Sequence, residues 1–337
     1  MGSGGFGQRS AALGTAEEVK IGDRGKFSAW VCCPLCSCED SAPAFTRADN
    51  GTVVQCKKCA LLYLNPRSPE FSIASLYDRS YFDEGGHGSG YRDYIRQQAI
   101  EMKRGDHPAQ LALQLLEQRI SPRGRTLLDV GCGGGDLLNL ARRHGFGVSG
   151  VDVSAYVAAQ ARERFNLDVF ADGLEDAKFD ANSFDVVTAL EVVEHLTRPV
   201  QWLREVYRIL KPCGLLLLTT PNAHCAAKYG EKWLGFTASF EHLTFFDLRT
   251  VTLAAEMAGL RTTAVWTRGN GLSSASSVVG RVVGNAKRIL KRALLSFPSL
   301  FALLQARRRP IGVTPFERDP FGHDLWVLLE KVDAGKF

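Results

Sequence analysis

The stretch RTLLDVGCGGGDLLNLARRH, residues 125–144, decides the fold. Its first six residues form a short apolar strand pattern, the glycine-rich GCGGG follows, and the remaining residues place apolar side chains at helical spacing. Strand, glycine turn and helix in this order are typical of the first unit of a doubly wound sheet. Because glycines let the backbone approach a ligand closely, the stretch predicts a nucleoside site where the strand ends.

Strand and helix patterns continue to alternate along the chain. The helical patterns are 154–164, 199–210 and 247–258, and the strand patterns are 147–151, 167–170, 184–190, 214–220, 261–267 and 325–331. This alternation predicts an α/β fold with a mostly parallel, seven-stranded sheet. Asp152 ends the second strand, where an acid can meet a ribose, and Asp172 follows the third strand. An ordinary turn residue is the alternative for each.

Four segments carry a family resemblance: LLDVGCGGGDLL (127–138), GVDVS (150–154), FDVVTALEVVEHL (184–196) and LREVYRILKPCGLLLLTTPN (203–222). They resemble class I S-adenosylmethionine-dependent methyltransferases, and within that class the ubiquinone-biosynthesis O-methyltransferases. The resemblance implies a Rossmann-like methyltransferase domain over residues 123–267 and 323–332. It also implies S-adenosyl-L-methionine as the cofactor.

The same resemblance implies which residues bind that cofactor. Asp152 would bind the ribose hydroxyls, and Asp172 with Gly173 would lie at the adenine edge. The methionine portion would lie against Asp129, Gly131, Gly133 and Gly135.

Residues 66–122 precede the methyltransferase domain and contain YFDEGGHGSGY, residues 81–91. In related enzymes such a segment folds over the cofactor, which assigns Tyr81 and Tyr91 to a helical lid. Glycines suit a mobile cover, and a plain linker is the alternative.

Two cysteine pairs lie near the start of the chain, CPLC at 33–36 and CKKC at 56–59. Two C-x2-C turns can direct four thiolates to one tetrahedral zinc ion, so residues 30–65 predict a zinc ribbon. Four protein ligands leave no open position, which makes the site structural. Reduced core thiols and disulfides are the alternatives, and the neighbouring Cys32 and Cys38 leave the register of the first turn open. The predicted ligands are Cys33, Cys36, Cys56 and Cys59. This front end resembles bacterial family members that methylate sugars, glycolipids or secondary metabolites.

Methyl transfer requires in-line alignment of acceptor, methyl group and sulfur, and a hydroxyl or carbon acceptor also needs a base. Two acid–histidine pairs follow predicted strands, Glu194-His195 and Glu241-His242. His242 is the preferred base, with His195 and Glu191 as further catalytic candidates. For each histidine a purely structural role is the alternative.

The segment EVVEH, residues 191–195, matches an E-x-x-E-H motif that is associated with a divalent metal in the ubiquinone O-methyltransferases. The resemblance therefore offers Glu191, Glu194 and His195 as a second metal site. Tyr229, Trp233 and Phe240 follow the fifth strand, and they are predicted either to form the acceptor wall or to pack on the sheet.

The net charge of +5 is unevenly distributed. Residues 268–322 contain ten basic and two acidic residues, so the rest of the chain is slightly acidic. Apolar and basic positions from residue 279 onward separate onto opposite faces of a helix, which predicts a basic amphipathic helical insert before the last strand. The insert could cover the substrate, form a dimer contact, or bind an anionic membrane through residues 279–309.

Residues 1–29 read as a flexible tail without a secretory signal, and no apolar run is long enough to cross a membrane. We therefore expect a cytoplasmic enzyme, with peripheral membrane contact through the insert. The expected reaction is O- or C-methylation of a small-molecule, sugar or lipid-linked acceptor. A zinc-ribbon rRNA methyltransferase is the first alternative, although four cysteine ligands and the absence of an Asn/Asp-Pro-Pro-aromatic motif argue against nucleic acid. A non-catalytic cofactor-binding scaffold is the second.

Overall fold

The computed structural model describes residues 29–67, 75–86, 90–269 and 313–332. Almost all of the predicted tail, and the segment 279–309 on which the membrane hypothesis depends, lie outside the described residues. The described part contains no helix that is both long and apolar enough to cross a membrane.

Twelve strands and nine α-helices make up the described chain. The strands are β1 (Ser41–Thr46), β2 (Thr52–Cys56), β3 (Leu62–Leu64), β4 (Thr126–Val130), β5 (Gly147–Val151), β6 (Val169–Phe170), β7 (Phe184–Leu190), β8 (Leu210–Pro221), β9 (Thr244–Phe245), β10 (Leu260–Arg268), β11 (Thr314–Pro315) and β12 (Asp324–Lys331). The helices are α1 (Arg79–Asp83), α2 (Tyr94–Arg104), α3 (Pro108–Glu117), α4 (Asp136–Arg143), α5 (Ala155–Phe165), α6 (Pro199–Ile209), α7 (His224–Tyr229), α8 (Leu234–Thr237) and α9 (Leu248–Met257).

The large sheet has the strand order β11-β10-β12-β8-β7-β4-β5-β6. The pairs from β8 to β6 are parallel, whereas β12 runs antiparallel to β8 and β10. The predicted α/β fold and its seven strands are therefore confirmed. An eighth strand, β11, extends the edge by pairing with the end of β10, so residues 314–315 of the predicted insert belong to the sheet.

Both faces of the sheet are covered by helices, which explains why its central strands bury apolar side chains on both sides. Helices α3, α4 and α5 pack on one face, against Leu127, Val186 and Leu217. Helices α6 and α9 pack on the other face, against Leu128 and Val187. Buried apolar positions on alternate sides of one strand thus enter two different cores.

A second, four-stranded sheet has the order β1-β2-β3-β9. Its first three strands lie in the N-terminal ribbon (residues 30–65), whereas β9 comes from the segment that follows β8. Leu62 pairs with Phe245 and Tyr63 with Thr244. The ribbon is therefore joined to the methyltransferase sheet region by backbone hydrogen bonds as well as by the chain between them.

Residues 75–86 and 90–122 do more than connect the two sheets. The short helix α1 begins at Asp78, whose carboxylate accepts a hydrogen bond from the amide of Tyr81. Helix α3 buries a row of leucines, including Leu111 and Leu115, against the sheet face that α4 also covers. This segment is therefore part of the core at one end and lies above the carboxyl ends of the strands at the other.

Candidate active site

The glycine turn after β4 has a backbone that only glycine adopts readily. Gly131, Gly133 and Gly135 have φ values of +70°, +50° and +80°. A Cβ on Gly133 would lie 2.5 Å from the hydroxyl oxygen of Tyr94, and one on Gly131 would lie 2.7 Å from a methyl of Val192. Both spaces are therefore closed to any larger residue.

Asp152 joins the tips of two neighbouring strands. One carboxylate oxygen accepts the amide hydrogen of Gly133 at 2.8 Å, and the other accepts that of Ser154 at 2.9 Å. Burial raises the pKa of Asp152 to about 6. Asp129, at the end of β4, accepts a hydrogen bond of 2.7 Å from the Thr188 hydroxyl. Burial raises its pKa to about 7, although this hydrogen bond opposes the rise.

One cavity of about 540 Å³ lies at the carboxyl ends of the strands. Its lining includes the cofactor residues predicted from sequence, apart from Gly135, which caps α4 and packs against Leu167. It also includes all three predicted catalytic residues: Glu191, His195 and His242. The acids on its wall are Asp129, Asp136, Asp152, Asp172, Glu175, Glu191, Glu241 and Asp324. Only one lysine or arginine of the described chain, Arg268, lines it with them.

Five aromatic residues from the predicted lid segment line this cavity, and we call them the aromatic lid: Tyr77, Tyr81, Phe82, Tyr91 and Tyr94. The rings of Tyr77 and Tyr81 lie 4.7 Å apart, and those of Tyr91 and Tyr94 lie 4.9 Å apart. The Tyr81 hydroxyl donates a hydrogen bond of 2.8 Å to the Glu241 carboxylate. The aromatic lid therefore contacts the segment that carries His242.

His195 and His242 meet edge to face, with ring centroids 4.8 Å apart. Nδ1 of His195 lies 3.4 Å from the Glu241 carbonyl oxygen, and its Nε2 lies 3.5 Å from the Tyr77 hydroxyl. Burial lowers the pKa of His195. Burial, followed by the proximity of His195 and Arg47, lowers the pKa of His242 well below its usual range. Both imidazoles are therefore neutral near pH 7.

Glu194 lies behind the two histidines and is 1% exposed. One of its carboxylate oxygens is 4.0 Å from Nε2 of each histidine, and neither oxygen has a hydrogen-bond partner within the described chain. Burial, and then the neighbouring Glu191, raise the pKa of Glu194 well above its usual range.

Ligand-type atoms of Glu194, His195 and His242 lie within 4.8 Å of one another. This grouping differs from the E-x-x-E-H set because His242 stands where Glu191 was expected. The Glu191 carboxylate instead accepts a hydrogen bond of 2.8 Å from the Thr219 hydroxyl. Loss of hydration at the cavity wall, and then the nearby negative charge of Asp324, raise the pKa of Glu191 to about 8.

The predicted acceptor wall is wrong. Trp233 is completely buried and packs against Phe236 and Phe245 beneath the ribbon. Tyr229 joins the same cluster, and the Phe240 ring lies 5.7 Å from the guanidinium of Arg47. The packing alternative for these aromatic residues therefore holds.

Several lining residues were not predicted from the sequence, among them Tyr94, Arg268 and Asp324. The Tyr94 hydroxyl lies beside Gly133. Tyr94 is the first residue of α2, and its position just after the predicted lid sequence could have indicated this contact. Arg268 and Asp324 reach the cavity because β10 and β12 lie beside β8, an arrangement that no local pattern indicates.

The four predicted ligand cysteines converge in the ribbon. Sγ of Cys33 lies 3.5 Å from Sγ of Cys59, Sγ of Cys36 lies 3.5 Å from Sγ of Cys56, and all four lie within 4.8 Å of one another. These separations are too long for disulfides. Burial raises the pKa of Cys59 to about 12, whereas backbone amides, against the effect of burial, lower the pKa of Cys56 to about 7.

Residues 102–265 match the profile of a family described as a methyltransferase domain. The ubiquinone biosynthesis O-methyltransferase of Coxiella burnetii is 33% identical over 120 residues, which are 34% of this chain and 51% of that protein. The protein of the same name from Xanthomonas axonopodis pv. citri is 36% identical over 121 residues, again 34% and 51% of the two chains.

The chain thus spans about half the length of the curated relatives it matches. A solved methyltransferase from Archaeoglobus fulgidus, described as S-adenosylmethionine dependent, is 19% identical with a TM-score of 0.43, covering 71% of this chain and 100% of that one. Residues 102–265, which match the methyltransferase domain, contain the glycine turn, Asp152 and the pair Glu194-His195. The chain therefore carries a class I S-adenosylmethionine-dependent methyltransferase domain.

Proposed function

We propose that this protein transfers a methyl group from S-adenosylmethionine to a hydroxyl group of a small molecule. The observation that carries the proposal is that the glycine turn and Asp152 line the same cavity as the pair His195 and His242. The two relatives described above are named as O-methyltransferases, which supports the choice of oxygen as acceptor. The same chemistry also allows a sugar hydroxyl, a lipid-linked hydroxyl or a carbon atom as the acceptor.

The charge of the cavity supports the choice of cofactor. Its wall is rich in carboxylates, and two of them, Asp129 and Asp152, are held buried at pKa values of about 7 and 6. A bound cation would stabilise their charged forms. S-adenosylmethionine supplies a sulfonium and an ammonium group, and its sulfonium makes the methyl group reactive. This chain then has to hold the acceptor in line and exclude water, which the aromatic lid is placed to do.

The hydrogen bonds of His195 support it as the group that takes the acceptor proton. A backbone carbonyl only accepts hydrogen bonds, so the Glu241 carbonyl favours the tautomer with the proton on Nδ1. Nε2 then carries the lone pair inside the cavity, beside the Tyr77 hydroxyl. We infer that His195 is the base and that His242 packs against it.

The overall function is tested by incubating the protein with radiolabelled S-adenosylmethionine and fractionated cell extract. We expect label in the aqueous small-molecule fraction or the lipid fraction, and binding of the cofactor in calorimetry. Asp152→Asn should weaken cofactor binding by about 10- to 100-fold, because an amide cannot accept both backbone hydrogens. The matched control is Asp168→Asn, since Asp168 is exposed. Label in RNA alone would favour the rRNA alternative, and cofactor binding without any transfer would favour the scaffold.

His195→Gln should lower the rate of methyl transfer by about 100-fold or more while leaving cofactor binding within about twofold. Since burial lowers the pKa of His195, the wild-type rate should remain high below pH 6.5 and fall only at more acidic pH, where the imidazole becomes protonated. A pH–rate profile measures this with the extract fraction that accepts label. His144→Gln is the control, because His144 is an exposed histidine that pairs with Glu117. A His195→Gln protein with the wild-type rate would remove His195 as the base.

We further propose that Cys33, Cys36, Cys56 and Cys59 hold a structural zinc ion. A zinc ion with thiolate bonds of about 2.3 Å separates its sulfur atoms by about 3.8 Å, close to the Sγ separations of 3.5 Å. The donor set also fits zinc, because zinc prefers thiolate ligands and the four sulfur atoms, three of them on the buried Cys33, Cys56 and Cys59, lie within 4.8 Å of one another.

Metal analysis should find one zinc per chain, and strong chelation should lower the thermal midpoint by roughly 5–10 °C. Cys36→Ser should lose the zinc, whereas Cys38→Ser should keep it, because Cys38 lies outside the four-thiol group. A wild-type protein without zinc after expression in zinc-containing medium would contradict the assignment.

Finally, we propose that residues 279–309 bind an anionic membrane surface. Their sequence separates apolar and basic residues, and each Lys or Arg near such a surface contributes about 1 kcal/mol. The protein should sediment with phosphatidylserine-containing vesicles at low salt and much less at high salt. Replacing Lys287, Arg288, Lys291 and Arg292 by Gln should abolish sedimentation. Absence of wild-type sedimentation would leave the insert as a substrate cover or dimer contact.

A further inference from the structure

The segment between β8 and α9, residues 222–247, is hydrogen-bonded to the ribbon. We call it the acceptor loop. Besides the β3–β9 pairing, the Leu64 amide donates a hydrogen bond of 2.9 Å to the carbonyl of Leu243. At the opposite end of the ribbon, the Ala48 amide donates at 3.1 Å to the carbonyl of Phe236. The ribbon thus contacts the acceptor loop on both sides of His242.

Arg47 lies between these two contacts, with its side chain fully buried. Nη1 donates a hydrogen bond of 2.9 Å to the carbonyl of His242, and Nη2 donates one of 3.0 Å to the carbonyl of Phe240. The guanidinium is neutralised by Asp49, which accepts from Nε at 3.0 Å and from Nη2 at 2.5 Å. A buried guanidinium is stable only while such partners are present, so Arg47 and the acceptor loop constrain each other.

The two carbonyls that Arg47 binds belong to residues 240 and 242, so the carbonyl between them is not held by the guanidinium. That carbonyl, of Glu241, is the one that lies 3.4 Å from Nδ1 of His195. The Glu241 side chain meanwhile accepts the hydrogen bond from Tyr81 of the aromatic lid. One guanidinium therefore orients a tripeptide that contacts both the candidate base and the lid.

We propose that Arg47 is a positioning residue, through which the ribbon holds the Glu241 carbonyl against His195 and so fixes the tautomer of that imidazole. For its consequences in catalysis this inference rests on the proposed function. It gives the ribbon a direct part in building the acceptor side of the site, in addition to any structural zinc.

The inference is tested with Arg47→Met and Arg47→Lys in the full-length protein. The matched control is Arg261→Met, because Arg261 pairs with Glu330 on the exposed edge of the large sheet. In Arg47→Met, amide hydrogens of residues 238–245 should exchange about tenfold faster or more, and the ¹⁵N shifts of His195 should lose the pattern of a single tautomer. Zinc content and cofactor affinity should stay within about twofold of wild type.

The rate of methyl transfer should fall by about 10- to 100-fold in Arg47→Met, mainly in kcat, and Arg47→Lys should restore part of it. If Arg47→Met does not fold, Asp49→Asn loosens the same guanidinium and is measured in its place. Unchanged exchange and an unchanged His195 tautomer in the variant would overturn the inference. Altered exchange and tautomer in a protein whose wild type transfers no methyl group would instead uphold the positioning contact and reject the proposed function.

Discussion

Parallel pairing of β4 with both β5 and β7 is the constraint on which the rest of the site depends. It brings three chain turns to one edge of the sheet, and the bond from the Gly133 amide to Asp152 ties two of them together. Because parallel strands all end on the same side, the glycine turn, Asp152 and the segment of Glu191 to His195 necessarily face one cavity.

Burial shifts the pKa values of several ionisable groups in the cavity toward their neutral forms. Asp129 and Asp152, whose pKa values are raised, lie at the proposed cofactor end, and His195 and His242, whose pKa values are lowered, lie at the proposed acceptor end. The common cause is burial, which opposes the charged form of both types of group. A cationic ligand stabilises the acids, while neutral histidines stay able to accept a proton. One physical effect thus prepares the two ends of the cavity for different chemistry.

The ribbon and the methyltransferase sheet are best understood as one unit around the acceptor loop. Strand β9 completes the small sheet, and the loop that precedes it reaches the cavity with Glu241 and His242. Trp233 and other aromatic residues that could have faced an acceptor instead pack between the loop and the ribbon. The proposed acceptor side therefore owes part of its shape to the ribbon, although no residue of the ribbon lines the cavity.

Much of this protein was determined by local sequence alone. Hydrophobic periodicity defines the strands of the large sheet, positive φ angles demand the glycines after β4, and Asp247 with Thr250 forms the capping box that begins α9. The cofactor end could be predicted for the same reason, since its residues stand at strand ends. Only the tertiary structure decided the acceptor end, where Arg47 meets a carbonyl 195 residues away and His242 joins His195 and Glu194. Such contacts depend on how distant segments pack, and the local pattern around each residue is the same whichever partner it meets.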